Sequence, residues 1–387
     1  MSDRIVFYSH NGFGLGHVRR NFRIARALRE AVPGAEIILV TGSPFPQDPA
    51  LEEGMDYVRL PAFLRDGTNH WSPKQLRGFA FDDLTSLRAD TIHSVIRRFR
   101  PSLLVADHLP AGVGGELLPA LECLRESGGR AVAGFRDILD TADRVRQTWH
   151  ENRTVFVLRE YYAKTLVYGS PEVFDFRQYD LPADLQTTLV YCGYLGRPAV
   201  PSEAVEEARA QLRGGRERGV LACAGGGIDG LEVIKAAVTA GPQLEYCLRA
   251  RLVAVTGPVM SSTDWRELRT IAHRRRIDVR QRIDAFPAHV AASDLLIGMC
   301  GYNTACEALS YGIPFLSVPR AEPSTEQLIR ARAFSKLGLL TCLEPDRLAG
   351  ETLVEAAMAT LAEAPRGQVQ FPMDGIARAR DILRDML

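Results

Sequence analysis

Short runs of apolar and β-branched residues alternate along this chain with longer stretches whose apolar positions recur every three to four residues. The short runs suit strands and the longer period suits helices laid over them, so the rhythm predicts βαβ units in parallel sheets, an α/β architecture. In the first half, strands are expected at 4–9, 36–41, 56–60, 102–107, 130–134, 165–168 and 188–192, with helices clearest at 17–31 and 83–100. A second set at 219–224, 252–256, 277–280, 295–298, 315–318 and 340–343 predicts another sheet of comparable size. Between the two sets, Gly196-Arg197-Pro198-Ala199-Val200-Pro201-Ser202 is punctuated by proline and marks an interdomain linker. The segment 64–79 carries Arg65, Asp66, Gly67, Asn69, His70, Trp71, Pro73 and Gly78 without a period. It is expected to be a long loop, either a binding loop or a surface excursion.

The length of 387 residues agrees with two domains, each large enough for its own core. With 46% hydrophobic and 24% charged residues and no uninterrupted apolar run long enough to span a bilayer, the composition is that of a globular protein with no transmembrane segment. Lys plus Arg (47) equals Asp plus Glu (47), which gives no electrostatic footprint for nucleic acid or an anionic membrane. Seven cysteines without a Cys-x-x-Cys pair argue against a disulfide framework and a zinc site. A reducing cytoplasm is the expected compartment, since Met1 leads straight into the first strand without a signal-peptide pattern.

Three glycine-rich turns follow expected strands and open helices, where backbone N–H groups can meet a phosphate. The first, His10 to His17, spaces its glycines as Gly12, Gly14 and Gly16, and the second strand ends Val40-Thr41-Gly42 with no acidic residue for a ribose, which disfavours a dinucleotide site. The second is Gly225-Gly226-Gly227-Ile228-Asp229-Gly230, and the third is Gly298-Met299-Cys300-Gly301-Tyr302-Asn303-Thr304, whose helix reaches Glu307. Each turn alone could be a tight βα connection; three in one alternation weaken that account. Glu307 fits either an interaction with whatever sits at its helix N-terminus or simple balance of the dipole. Adjacent Glu326 and Gln327 follow the polar loop after Pro319 and suit hydroxyl recognition.

These motifs, spread over nearly the whole chain, resemble those of MurG-like glycosyltransferases of family 28. The resemblance implies a GT-B fold, two Rossmann-like domains facing a cleft: an acceptor-side domain at 1–196, a nucleotide-sugar-binding domain at 197–370 and a C-terminal helix at 371–387 that crosses back to the first domain. It further implies sugar transfer from a nucleoside-diphosphate donor, UDP-linked by resemblance, to an acceptor whose identity it leaves open, with inversion and with no cofactor. On this resemblance Gly301, Tyr302, Asn303 and Thr304 hold the diphosphate, Glu307 the ribose, and Glu326 and Gln327 the donor sugar. Gly226 and Gly227 complete the donor turn, and the main chain at Phe286 meets the base. His17 corresponds to the histidine that closes the family's N-terminal glycine loop, either as a general base for the acceptor or as a phosphate anchor. Gly14, Gly16, Asp107 and Arg136 are acceptor-side candidates, as is Asp137 beside Arg136, these last two having an internal ion pair as the alternative. Cys300, Arg320 and Glu322 depart from the family pattern, and the chain has no Asp-x-Asp motif, so no metal is expected and helix dipoles and amides must offset the charge of the leaving group. The same scaffold also suits a nucleotide-sugar epimerase or hydrolase, or a non-catalytic sugar-nucleotide-binding protein.

Overall fold

In the computed structural model, which describes residues 3–10, 16–43, 53–65, 71–363 and 371–387, the apolar runs become parallel strands. The chain divides into two units, Met1–Leu195 with Asp374–Leu387, and Gly196–Met373. In the first unit, β1 (Arg4–Ser9), β2 (Glu36–Thr41) and β3 (Met55–Arg59) precede a hairpin of β4 (Phe63–Arg65) and β5 (Trp71–Pro73), followed by β6 (Leu103–Asp107), β7 (Arg130–Arg136), β8 (Tyr162–Tyr168) and β9 (Leu189–Tyr191). Seven of these form one sheet in the order β3-β2-β1-β6-β7-β8-β9, every pair parallel. The central strands are continuous apolar runs because both faces are covered: Ile5, Val6, Phe7, Leu104 and Val105 are all buried.

β8 begins at Tyr162, three residues before the expected 165, and two further details of the first unit differ from the sequence expectation. The segment 64–79 is partly regular, since Phe63 and Leu64 pair antiparallel with Pro73 and Ser72; strands of three residues are too short to show a period. And β7 runs two residues beyond 134, because Phe135 continues the buried core and carries the strand on to Arg136.

In the second unit, β10 (Arg218–Cys223), β11 (Ala250–Val255), β12 (Asp278–Arg280), β13 (Leu295–Gly298), β14 (Phe315–Ser317) and β15 (Thr341–Cys342) form a parallel sheet in the order β12-β11-β10-β13-β14-β15. Val220, Leu252, Leu295 and Leu316 lie in its core.

Both sheets reverse direction of growth at their first strand. β1 lies between β2 and β6, and β10 between β11 and β13. Beyond the carboxyl ends of two such strands the connecting chains diverge to opposite faces and leave a crevice, the usual ligand position in open α/β sheets. Register puts Ser9 beside Asp107 in the first unit and Cys223 beside Gly298 in the second. The C-terminal helix Gly375–Arg384 belongs to the first unit and packs against the helix Gly16–Ala31, with Ala379 and Leu383 buried. It is anchored by the Gly375 N–H to the Tyr194 carbonyl, 3.0 Å, and by a bridge of Leu195 to Asp374. Among the described residues, no helix is long and apolar enough to cross a membrane.

Candidate functional site

At the β1–β6 switch, Asp107 ends β6 fully buried. Its neighbours come from the helix Gly16–Ala31, where His17 and Arg20 are one turn apart and therefore share a face. Arg20 donates from Nε to Asp107 Oδ1 at 3.1 Å and from Nη2 to Oδ1 and Oδ2 at 2.7 Å each, a forked pairing of planar groups. His17 Nδ1 lies 2.6 Å from Asp107 Oδ2, with Arg20 Nη2 2.8 Å from the same ring nitrogen. Nδ1 can therefore either donate its proton to the carboxylate or accept one from the guanidinium; the first tautomer leaves the lone pair of the neutral ring on Nε2.

Burial alone would raise the Asp107 carboxyl, but the Arg20 charge and His17 outweigh it and hold it down at about 2. Burial lowers His17 below the ordinary histidine value; Asp107 opposes that shift, while Arg20 and Arg136 add to it. His17 is thus neutral at neutral pH, the form a general base requires.

Two further histidines stand beside it. The ring of His10, which follows β1, lies 5.2 Å from that of His17 and 5.6 Å from that of His108, and the His17 and His108 rings are 5.2 Å apart. Trp71 of β5 meets His10 edge-on at 5.8 Å, and the Phe63 ring packs 6.3 Å from Trp71. Behind this wall Arg88, with no exposed surface, donates from Nη2 to Glu116 Oε1 at 2.6 Å and from Nη1 to the Pro61 carbonyl at 2.5 Å, and the Tyr8 hydroxyl donates to the same carboxylate. Arg88 Nη2 also reaches the His10 carbonyl at 3.5 Å, tying the chain beyond β1 to the start of β4.

In the second unit, the close approach of chains explains the glycines. A Cβ on Gly298 would lie 2.6 Å from the Cys223 carbonyl oxygen, and Gly227, at φ +96°, would press on the Thr256 carbonyl oxygen at 2.4 Å. The second and third turns adjoin, since a Cβ on Gly225 would sit 3.9 Å from the Thr304 hydroxyl. Gly301 precedes the helix Tyr302–Tyr311, faces open space and provides no side-chain cap, so the amides of Asn303 and Thr304 in the first turn stay available to an anion.

Glu307, in the second turn of that helix, is buried and accepts Arg197 Nη2 at 2.8 Å. Glu326 and Gln327 open the helix Glu326–Lys336, both buried. Glu326 is held by Arg330 Nη1 at 2.7 Å and by Arg320 Nη2 at 3.4 Å, and Arg320 also pairs with Asp229 of the second turn. Gln327 Oε1 accepts the Arg320 N–H at 3.4 Å. Arg330, with no exposed surface, donates to the Cys300 carbonyl at 2.8 Å and so links the third turn to Glu326. Phe286 opens the helix Phe286–Ala292, which packs beside Tyr302–Tyr311.

The structure therefore brings His17 and Asp107 into one cluster at the β1–β6 switch. Arg136, at the end of β7, acts on both His17 and His108 through its charge. Gly16 opens the helix that carries His17, and Gly14 lies outside the described residues. Gly226, Gly227, Gly301, Tyr302, Asn303 and Thr304 gather around the β10–β13 switch, and Arg330 ties the third turn there to Glu326 and its neighbour Gln327. Sequence reasoning missed the arginines that hold these groups: Arg20, Arg88, Arg197 and Arg330. Three of them left a signal. Arg88 falls on the buried stripe Leu84–Ile92–Ile96, Arg20 lies on the buried face of its helix with Val18, Asn21 and Ile24, and Arg330 is buried beside Leu328, Ala331 and Phe334.

Residues 226–384 match the family model of the glycosyltransferase family 28 C-terminal domain. No curated relative matches the chain in sequence. Among solved structures the chain is similar to MurG from Acinetobacter baumannii (14% identity, 99% of each chain covered, TM-score 0.61). It is also similar to a UGT transferase from Siraitia grosvenorii in complex with UDP (13% identity, 100% of each chain, TM-score 0.59). A third similar structure is a putative UDP-N-acetylglucosamine 2-epimerase from Listeria monocytogenes (14% identity, 99% of this chain and 95% of that one, TM-score 0.62). Residues 226–384 thus form a domain of the glycosyltransferase family 28 C-terminal type, and the chain as a whole has the GT-B fold it shares with MurG.

Proposed function

We propose that the protein transfers a sugar from a UDP-linked donor to a hydroxyl acceptor, with inversion and without a metal ion. The observation that carries this reading is the His17–Asp107 pair: an imidazole whose Nδ1 lies 2.6 Å from a buried carboxylate and which, by donating there, offers Nε2 as proton acceptor. His17 Nε2 takes the proton of the acceptor hydroxyl as its oxygen forms the bond to the anomeric carbon. The bond from that carbon to the diphosphate breaks at the same time, and its electron pair leaves on the phosphate oxygen. A single displacement inverts the configuration.

On this reading the second unit binds the donor. The amides of Asn303 and Thr304 and the Thr304 hydroxyl receive the diphosphate and its growing charge. Glu307, oriented by Arg197, binds the ribose, the main chain at Phe286 the base, and Glu326 and Gln327 the sugar, with Gly226 and Gly227 allowing close approach. Asp107 and Arg136, with Gly14 and Gly16, belong to the acceptor side.

His17→Ala tests the reading. Turnover should fall by about 10²- to 10⁴-fold with donor affinity little changed, because the loss falls on proton transfer. A variant that instead loses donor affinity, and regains it in His17→Gln, would make the residue a phosphate anchor. The fold is also that of a putative 2-epimerase, so product analysis with donor alone belongs to the same experiment. Epimerised donor would favour that second reading.

A further inference from the structure

His108 carries two costs in one place. It stands in the left-handed region at φ 73°, which a residue with a side chain rarely adopts, and its N–H is committed to the Gly134 carbonyl at 2.8 Å. Its Nδ1 is shielded from solvent without a hydrogen-bond partner among the described residues. Strain of this kind persists where the surroundings enforce it, and it concentrates at ligand-binding positions. Here the left-handed residue directly follows Asp107 and turns its ring to 5.2 Å from that of His17.

We propose that His108 is a second acceptor-binding residue, exchanging a hydrogen bond through Nδ1 with a hydroxyl next to the one that reacts at His17, so that the acceptor presents a vicinal diol. The inference rests on the glycosyl-transfer reading and adds the acceptor class to it. Hydroxyl oxygens on neighbouring carbons lie roughly 3 Å apart, so two rings at this separation can each meet one of them at ordinary hydrogen-bond length. His108 is suited to a neutral partner: burial first, and then its neighbours His17, Arg136, His10 and Arg20, which disfavour a further positive charge, push it well below the ordinary histidine value, so it stays uncharged. Trp71, half-buried beside His10 and backed by the fully buried Phe63, supplies the apolar wall that a ring-borne diol needs beside its polar edge.

The test compares paired acceptors on the full-length enzyme with UDP-glucose and UDP-N-acetylglucosamine as donors: catechol with guaiacol, trans-cyclohexane-1,2-diol with cyclohexanol, and methyl glucoside with its 3-deoxy analogue. Wild type should prefer each diol. His108→Gly accepts φ 73° freely, so it should keep or raise the melting temperature while kcat/KM for diols falls about 10- to 100-fold, the scale of a lost buried hydrogen bond. It should leave the partners that lack a vicinal diol unchanged. His108→Asn, which tolerates the left-handed region and keeps a polar group, should recover part of the loss. Equal loss on both members of a pair, or no loss on the diols, overturns the proposal. Transfer that needs His17 but ignores His108 overturns this inference alone, and absence of wild-type transfer to every pair overturns it together with the reading beneath it.

Discussion

Replacing Asp107 by Asn removes one charge from a site where two donors converge. In the folded protein the Asp107 carboxyl lies at about 2 against an ordinary 3.8, so its ionised form stabilises the fold by about 2 kcal/mol at neutral pH. The variant forfeits that and leaves the Arg20 guanidinium, only 4% exposed, without its counter-charge, which brings the expected loss to about 3–5 kcal/mol. The sign with pH follows from a depressed folded-state value. The Asp107 contribution is complete above about pH 4, roughly half gone at pH 3, and lost as pH falls through 2. Urea unfolding of wild type and Asp107→Asn should therefore show a wide gap at pH 7 that narrows below pH 4. The same variant changes the chemistry. Without a carboxylate to take the Nδ1 proton, Arg20 Nη2, 2.8 Å from that nitrogen, donates to it and selects the tautomer with its proton on Nε2. Such a ring cannot accept a proton from the substrate, and turnover should fall about 10²- to 10⁴-fold, with donor affinity by calorimetry unchanged. Near-normal turnover, or a stability gap at pH 7 below about 0.5 kcal/mol, would refute the assignment of His17 and Asp107 as a working pair.

Two further outcomes are expected. Glu307→Ala should weaken binding of UDP by about 1.5–3 kcal/mol in calorimetry, the scale of a charge-assisted hydrogen bond; unchanged affinity in a folded variant removes Glu307 from the ribose site. Exhaustive treatment with EDTA should leave most transferase activity, whereas complete loss restored by magnesium or manganese would require a metal to neutralise the leaving group.

The parallel sheets were legible because central strands such as 4–9 and 219–224 are apolar almost throughout, a pattern that survives without any knowledge of neighbours. The hairpin of β4 and β5 was not, since its pairing spans three residues on each side and depends on the aromatic packing of Phe63 with Trp71. For the site, His17 and Asp107 could each be named from their places at glycine turn and strand end. Their pairing could not, because 90 positions separate them and only the β1–β6 adjacency brings them together. The buried arginines were hidden for a different reason. A charge on a helix is ordinarily solvated, and Arg88 is inside because the Glu116 carboxylate and the Pro61 and His10 carbonyls accept from its guanidinium.

Because the chain leaves the first unit at Leu195 and returns at Asp374, the second unit is an insertion within the first, and this sets an order of assembly. As the polypeptide emerges from the ribosome, every residue of Gly196–Met373 is present before the helix Gly375–Arg384 has been made. The common sequence of events, in which the N-terminal domain finishes first, is thereby inverted. The inserted domain can fold while the helix bearing His17 still lacks its covering partner, and completion of the first unit waits for the helix Gly375–Arg384.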